Sequence, residues 1–327
     1  MHTNTVPPRR ASAPGHHALR IGVDDGGSAL DYVLGVDHLQ HEPFYDALAA
    51  LGVQFISLHL NPVRSDQTSS VEAPEAQGGS YDQEATAAYI AAIDRALRAH
   101  RIDYLLNVEF GNWSRTLAFS PGTNELERPG GCHRWDLPTY WLRPLVDLRR
   151  KEGAGFMGVL YDEAVHMQLS GTRFAHGEGV FDKPFLHDTT GMDLSQAEDT
   201  LSRAAKRLAQ EHYGGTVQLY SEHVWPDLFH TLARAGWICA PKLLKESFNP
   251  VVASIALGAN LQYADSGTCF WATPDLWRYN GYPGHSPQAL CSSLLTAYWL
   301  GAEAVYVENL DYSGKDPRHP AAPPSGS

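Results

Sequence analysis

Residues 156–167 read FMGVLYDEAVHM, an apolar run with a glycine near its start that stops abruptly at Asp162-Glu163. A strand buried on both faces of a parallel sheet has this continuous apolar character, and it ends where polar groups begin. The same grammar recurs on both sides of it. Short apolar runs at Leu19 to Val23, Val53 to Leu58, Asp103 to Val108, Val217 to Tyr220, Trp237 to Ala240, Thr268 to Ala272 and Ala304 to Val307 bring the expected strands to eight. Helical patterns stand between them. Several end on a glycine suited to the left-handed cap that turns a helix into the next strand: Leu51-Gly52, Glu152-Gly153, Tyr213-Gly214, Ala235-Gly236 and Leu300-Gly301.

Loop lengths choose between the two parallel-sheet architectures. Helix-to-strand turns are tight, whereas the segments after the second, third and fourth strands are long, polar and rich in Gly and Pro. Long connections gathered at one end of a sheet make a site-bearing face. No GxGxxG or GxxxxGK[ST] follows any strand, which removes the main support for a dinucleotide site or a P-loop. The expectation is an α/β chain folded as a (β/α)8 TIM barrel, with a doubly wound sheet as the alternative. Helix seven is well marked, with Ser286 as N-cap and Pro287 in the first turn. After the eighth strand comes NLDYSGKDPRHPAAPPSGS, without apolar period, so the eighth helix is expected to be absent or truncated. The expected division is a disordered tail over 1–18, a barrel over 19–311 and a second tail over 312–327.

Composition narrows the function. The chain has 327 residues, 25 Lys+Arg against 37 Asp+Glu and a net charge of −12, a balance unsuited to nucleic acid or anionic lipid. No apolar stretch approaches the roughly 20 residues of a membrane span, and the N-terminus lacks the apolar core of a secretory signal. Four cysteines without CxxC spacing read as reduced thiols, and the expected location is the cytoplasm.

In a barrel, side chains at the C-terminal ends of the strands converge on one pocket. Those positions are strongly polar: Asp24 and Asp25, His59, Glu109 and Asn112, Asp162 and Glu163, Glu222 and His223, Lys242, Asp275, and Glu308 and Asn309. Any one of them could be a helix cap or turn residue, but carboxylates after six strands repel one another and raise some pKa values, as general acids require. Because strand side chains alternate, one of Asp162 and Glu163 should point inward, and Glu163 is the expected acid/base. Glu222 on the fifth strand and Glu308 on the eighth are its candidate partners. Adjacent strands, roughly 4.8 Å apart, would bring Glu163 and Glu222 to a short separation, whereas Glu308 would face Glu163 across the mouth. Trp113, Trp271 and Trp277 stand near Asn112 and Asp275 in loops bearing glycine and proline, where aromatic rings could stack on a sugar or simply pack the loop.

A barrel with Tyr161-Asp162-Glu163 closing its fourth strand, glutamates closing others and a Trp-rich loop before its last unit resembles the TIM-barrel glycoside hydrolases as a superfamily. In the large clan of retaining enzymes it looks like, the acid/base follows the fourth strand within an Asn-Glu pair and the nucleophile is a Glu after the seventh. Glu163 matches the first position with Asp in place of Asn, and the seventh strand offers Asp275. The resemblance implies cleavage of a glycosidic bond in a carbohydrate substrate, with no cofactor and no metal. Carboxyls about 5 to 5.5 Å apart suit retention and about 6.5 to 9.5 Å inversion.

Two other readings compete. A metal-dependent hydrolase or sugar isomerase would use Asp24, His59, Glu109, Glu163, Glu222, His223 and Asp275 as ligands, although neither HxH after the first strand nor HExxH occurs. An inactive carbohydrate-binding barrel is the other. A missing eighth helix would also bare the outer faces of strands eight and one, at Val305, Val307, Leu19, Ile21 and Val23, for a homodimer or a further segment.

Overall fold

The structure, a computed structural model, describes residues 18–25, 38–58, 83–107, 125–128, 132–135, 145, 155–163, 165, 168–169, 185–212, 214–244, 250–263, 270–276 and 285–308. Eight parallel strands close into a barrel: β1 (Arg20–Asp24), β2 (Phe55–Leu58), β3 (Asp103–Asn107), β6 (Phe156–Asp162), β7 (Leu219–His223), β8 (Ile238–Leu243), β9 (Trp271–Pro274) and β10 (Ala304–Val307). The closure between β1 and β10 runs in register from Arg20 opposite Ala304 to Val23 opposite Val307. A closed sheet excludes the doubly wound alternative. Between β3 and β6 lies an antiparallel pair that the sequence reading did not anticipate, β4 (Glu125–Arg128) and β5 (Cys132–Trp135).

Six α-helices alternate with the strands among the described residues: α1 (Glu42–Ala50), α2 (Gln83–Ala99), α3 (Leu194–Arg207), α4 (Phe229–Arg234), α5 (Pro250–Tyr263) and α6 (Pro287–Trp299). Their starts follow local chemistry. Ser286 accepts a hydrogen bond from the Ala289 amide at 3.2 Å with Pro287 in the first turn, as the sequence predicts. Asp193 and Gln196 form a reciprocal capping box at the head of α3. On α2, Ile90, Ile93 and Leu97 are buried together, and the buried Asp94 among them is compensated by Arg98 at 2.8 Å and the Tyr104 hydroxyl at 3.0 Å.

Inside the barrel, Phe55, Leu105, Leu160, Tyr220, Ala240, Trp271, Ala304 and Tyr306 pack into one layer. Below it, at the N-terminal end, Arg20 donates to Asp103 at 2.6 Å and stands over the Phe55 ring, which plugs the barrel floor. The strip expected to be bare on the outer faces of β1 and β10 is covered at Val23, Val305 and Val307 and open at Ile21, which is 39% exposed. The interface argument therefore loses its premise at three of its candidates. The N-terminal tail before residue 18 and everything after residue 308 lie outside the described residues.

One irregularity decides which side chains reach the mouth. Tyr104 pairs with Phe156 but Leu105 pairs with Gly158, so Met157 is an extra residue and the alternation of β6 shifts there. After the bulge, Leu160 and Asp162 face inward. Unbroken alternation from Met157, which packs on the interior layer, would have brought in Tyr161 and Glu163 instead. Gly158 makes the shift, with φ +151 and an added Cβ only 2.2 Å from the Gln218 carbonyl oxygen. Gly158→Ala should lower the free energy of unfolding by about 1 to 3 kcal/mol, the usual cost of forcing atoms into packed backbone. Urea denaturation checks this.

Candidate active site

Two residues beyond the apolar layer on each strand, toward the C-terminal end, the interior becomes polar. Counting in steps of two from that layer gives Ser57 on β2, Asn107 on β3, Asp162 on β6, Glu222 on β7, Lys242 on β8 and Thr273 on β9, all buried. Asp24 on β1 pairs in register with Ser57, and Asp275 and Glu308 bridge one another just beyond β9 and β10. Every strand of the barrel thus delivers a polar group to one end.

The centre of that end is the Lys242 ammonium. Its Nζ lies 2.8 Å from Glu308 Oε1, 3.2 Å from Glu163 Oε1, 3.2 Å from Glu222 Oε1, 3.4 Å from Asp162 Oδ1 and 3.7 Å from Asp275 Oδ2. Lys242 is the one buried lysine or arginine among the described residues, so these five carboxylates share a single fixed cation. At an effective dielectric near 20, each such contact is worth about 4.5 to 6 kcal/mol of attraction, set against comparable repulsion among the carboxylates. The Asn107 amide relieves part of this by donating to Asp162 Oδ2 at 3.1 Å.

The resulting protonation states follow. Burial alone would lower the Lys242 pKa, but the charges of Asp162, Glu163, Glu222 and Glu308 outweigh it and hold the ammonium well above its ordinary value. Burial, then the charges of Asp162 and Glu308, push the Glu222 carboxyl well above the glutamate range, against the opposing pull of Lys242. The protonated form of Glu222 is thereby favoured, beside Glu308 and under the Lys242 ammonium.

Of the expected site residues, Asp24, Asp25, Asp162, Glu163, Glu222, Asp275 and Glu308 are buried at this end. Both members of the Asp162-Glu163 pair reach Lys242, where alternation had promised one. Glu163 leaves the strand with φ +47, and this left-handed step brings its side chain back to the mouth. His223 does not belong to the mouth: its ring packs on Phe229 at 4.8 Å and its Nε2 meets Ser221 Oγ at 3.3 Å, on the helical side of the sheet. Trp271 is also corrected. It is 2% exposed and lies within the interior layer, 5.1 Å from Phe55 and 4.6 Å from Tyr220, where no sugar can stack on it. His59, Glu109, Asn112, Trp113, Trp277 and Asn309 lie outside the described residues.

Sequence reasoning named Lys242 as a strand-end residue but gave it no role, and it passed over Ser57, Asn107, Thr273 and Tyr306. The available signal was a lysine inside the run WICAPKLL, which an exposed turn does not explain. Of the cysteines, Cys239 is a free buried thiol whose pKa burial raises, whereas Cys291 is free but exposed. No helix among the described residues is long and apolar enough to cross a membrane.

No family model matches the chain, and no curated protein matches it. Solved structures similar to it include the family 2 AP endonuclease from Brucella melitensis, at 12% identity and TM-score 0.42 over 89% of this chain and 92% of that one. The 3-keto-D-glucoside 4-epimerase YcjR from E. coli is similar at 7% identity and TM-score 0.44 over 94% of each chain. D-psicose 3-epimerase from Clostridium cellulolyticum H10 is similar at 9% identity and TM-score 0.44 over 89% of this chain and 84% of that one. At such identities the likeness concerns the barrel fold alone.

The expected glycoside hydrolase is corrected at this point. Solved structures similar to the chain include an endonuclease, epimerases, aldolases and an isomerase-domain protein. The geometry also bears on one of the two candidate pairings. A Glu163–Glu308 pair was to bracket a sugar ring across the mouth, yet both carboxylates contact one nitrogen, closer together than the about 6.5 Å at which a water fits, which removes the inverting arrangement of that pair.

The raised Glu222 pKa has a consequence for stability. The folded protein holds this proton more tightly than the unfolded chain, so the contribution of Glu222 to stability falls as pH rises above the ordinary glutamate value of about 4.3. Glu222→Gln, which mimics the protonated acid, should unfold at higher urea concentration than wild type at pH 7, and the two should converge near pH 4. Parallel denaturation curves at the two pH values measure the effect.

Proposed function

We propose that the barrel mouth is the acid/base site of an isomerase or epimerase acting on a neutral, hydroxyl-rich carbonyl compound of the sugar class. The observation that carries the reading is geometric: Glu222, a fully buried carboxyl that burial and its carboxylate neighbours bias toward the protonated form, lies 3.2 Å from the Lys242 Nζ that also meets Glu308 at 2.8 Å. In the forward direction the Glu308 carboxylate removes a proton from the carbon beside the carbonyl. The C–H electron pair moves into the carbon skeleton and the carbonyl oxygen gains the negative charge, beside the ammonium. Glu222 gives its proton to the carbonyl oxygen, leaving an enediol. Glu308 then returns its proton to the former carbonyl carbon on the same face, while the neighbouring hydroxyl gives its proton to Glu222, so the carbonyl moves to that carbon and both carboxyls are reset. Exchange of the Glu308 proton with solvent before its return labels the product.

The substrate class follows from the lining. Ser57, Asn107, Thr273 and Tyr306 supply hydroxyl and amide groups, and the carboxylates accept hydrogen bonds from substrate hydroxyls. Among the described residues, five carboxylates around one ammonium leave a negative field, which disfavours phosphorylated or carboxylated substrates. A second reading, in which a divalent ion polarises the same carbonyl, is favoured by one observation: Asp162, Glu222 and Glu308 offer ligand atoms within 4.8 Å of one another.

The test is solvent exchange. In deuterium oxide the protein should introduce deuterium next to the carbonyl of at least one unphosphorylated aldose or ketose, read by NMR. Glu308→Gln and Glu222→Gln should each slow that exchange by about two to four decades, the usual worth of a positioned proton donor or acceptor. A folded wild-type protein that exchanges none of a broad sugar panel would remove the reading.

A further inference from the structure

Among the described residues the mouth has one cation and an excess of carboxylates, and the question is what polarises the substrate oxygen. The oxygens of Asp162, Glu222 and Glu308 that lie within 4.8 Å of one another enclose a point a divalent ion could take. Lys242 Nζ already stands there, 3.4, 3.2 and 2.8 Å from those three residues. An ion bound at ordinary oxygen distances of about 2.0 to 2.6 Å would have to displace the ammonium. Its side chain is 1% exposed, and among the described residues the charged groups in contact with it are all carboxylates.

We infer that the Lys242 ammonium is the resident electrophile of this site, taking the place of a divalent metal and polarising the substrate carbonyl by a direct N–H hydrogen bond. Its role as electrophile rests on the isomerase or epimerase reading; its occupation of the cation position does not. An ammonium has three donors, and five carboxylates compete for them, so one N–H can pass to an incoming oxygen without leaving Lys242 unpartnered. The same carboxylates keep the nitrogen charged, which sets it apart from the neutral amine that attacks a carbonyl to form an imine.

Manganese(II) titration of the metal-stripped protein, followed by calorimetry and by the spin-resonance signal of free manganese, tests the occupation. Wild type should take up none up to millimolar concentration. Lys242→Met should take up one ion, about a thousandfold more tightly, as expected when one unit charge leaves the centre of the carboxylates, and adding Glu222→Gln should abolish it. Tight stoichiometric uptake by wild type, lost in Glu222→Gln, would overturn the inference even if the lysine variants fail to fold. Exchange of deuterium into the sugar substrate by wild type should persist within about twofold in EDTA, while Lys242→Met should lose at least two decades of it. Loss of wild-type exchange in EDTA, restored by one divalent ion, would also overturn it. Absence of exchange under every condition would end the isomerase reading, with the manganese titration still deciding what occupies the cation position.

Discussion

The Lys242 ammonium organises the open end of the barrel because no other buried positive charge among the described residues meets the carboxylates of Asp162, Glu163, Glu222, Asp275 and Glu308. Removing one partner of a buried ion pair costs about 3 to 5 kcal/mol, since the charge left behind has neither water nor a counter-ion. Among the described residues the imbalance favours negative charge. Burial first, then the charges of Asp162 and Glu308, raise the Glu222 pKa, and the single Lys242 ammonium offsets them only in part.

The rest of the fold can be understood as what holds that nitrogen in place. Lys242 projects from β8 two residues beyond Ala240, on a layer where Trp271 fits between Phe55 and Tyr220. These large rings fill the barrel interior, so the polar end rests on a packed floor. Arg20 and Asp103 close the opposite end. Outside the sheet, Gln168 accepts hydrogen bonds from the amides of Leu186 and His187 at 2.8 and 3.2 Å, tying back the chain that follows β6. Phe185 on that returning segment packs on Tyr161, one residue before Asp162.

Much of this was legible in the sequence, and the parts that were not have a common cause. Apolar runs and glycine caps specify eight strands and their order, because burial on both faces leaves a continuous apolar signature. Some strand ends were placed too early: the reading ended the fifth and sixth strands at Tyr220 and Ala240, whereas the ladder continues through Glu222, His223 and Lys242. Side-chain direction was harder still. A bulge at Met157 changes the inward residue from Glu163 to Asp162, and a left-handed step at Glu163 then brings both to the mouth, and neither is written in residue type. Trp271 shows the converse error, since an aromatic beside polar residues can belong to the layer below them. The β4–β5 hairpin went unseen because its eight residues, ELER and CHRW, carry little of the apolar alternation that marks a half-buried strand.

The two non-glycine residues in left-handed backbone after barrel strands are Glu163, next to Asp162, and Leu244, two residues beyond Lys242. Each such conformation costs about 1 to 3 kcal/mol and persists only where the surroundings over-determine it. At Glu163 the compensation is visible: its amide donates to the Glu222 carbonyl oxygen at 2.8 Å and its carboxylate meets Lys242. At Leu244 it is apolar, a side chain 1% exposed among Phe229, Val252 and Phe270. Strain therefore flanks both halves of the central ion-pair cluster, on the carboxylate strand and on the lysine strand. A fold selected for stability alone would have relaxed these turns and replaced the buried charges with apolar side chains of similar volume, a change that is often neutral or stabilising. Retaining strain and unbalanced charge together at the one end of the barrel where every strand delivers a polar group is the pattern expected of a site whose geometry serves chemistry.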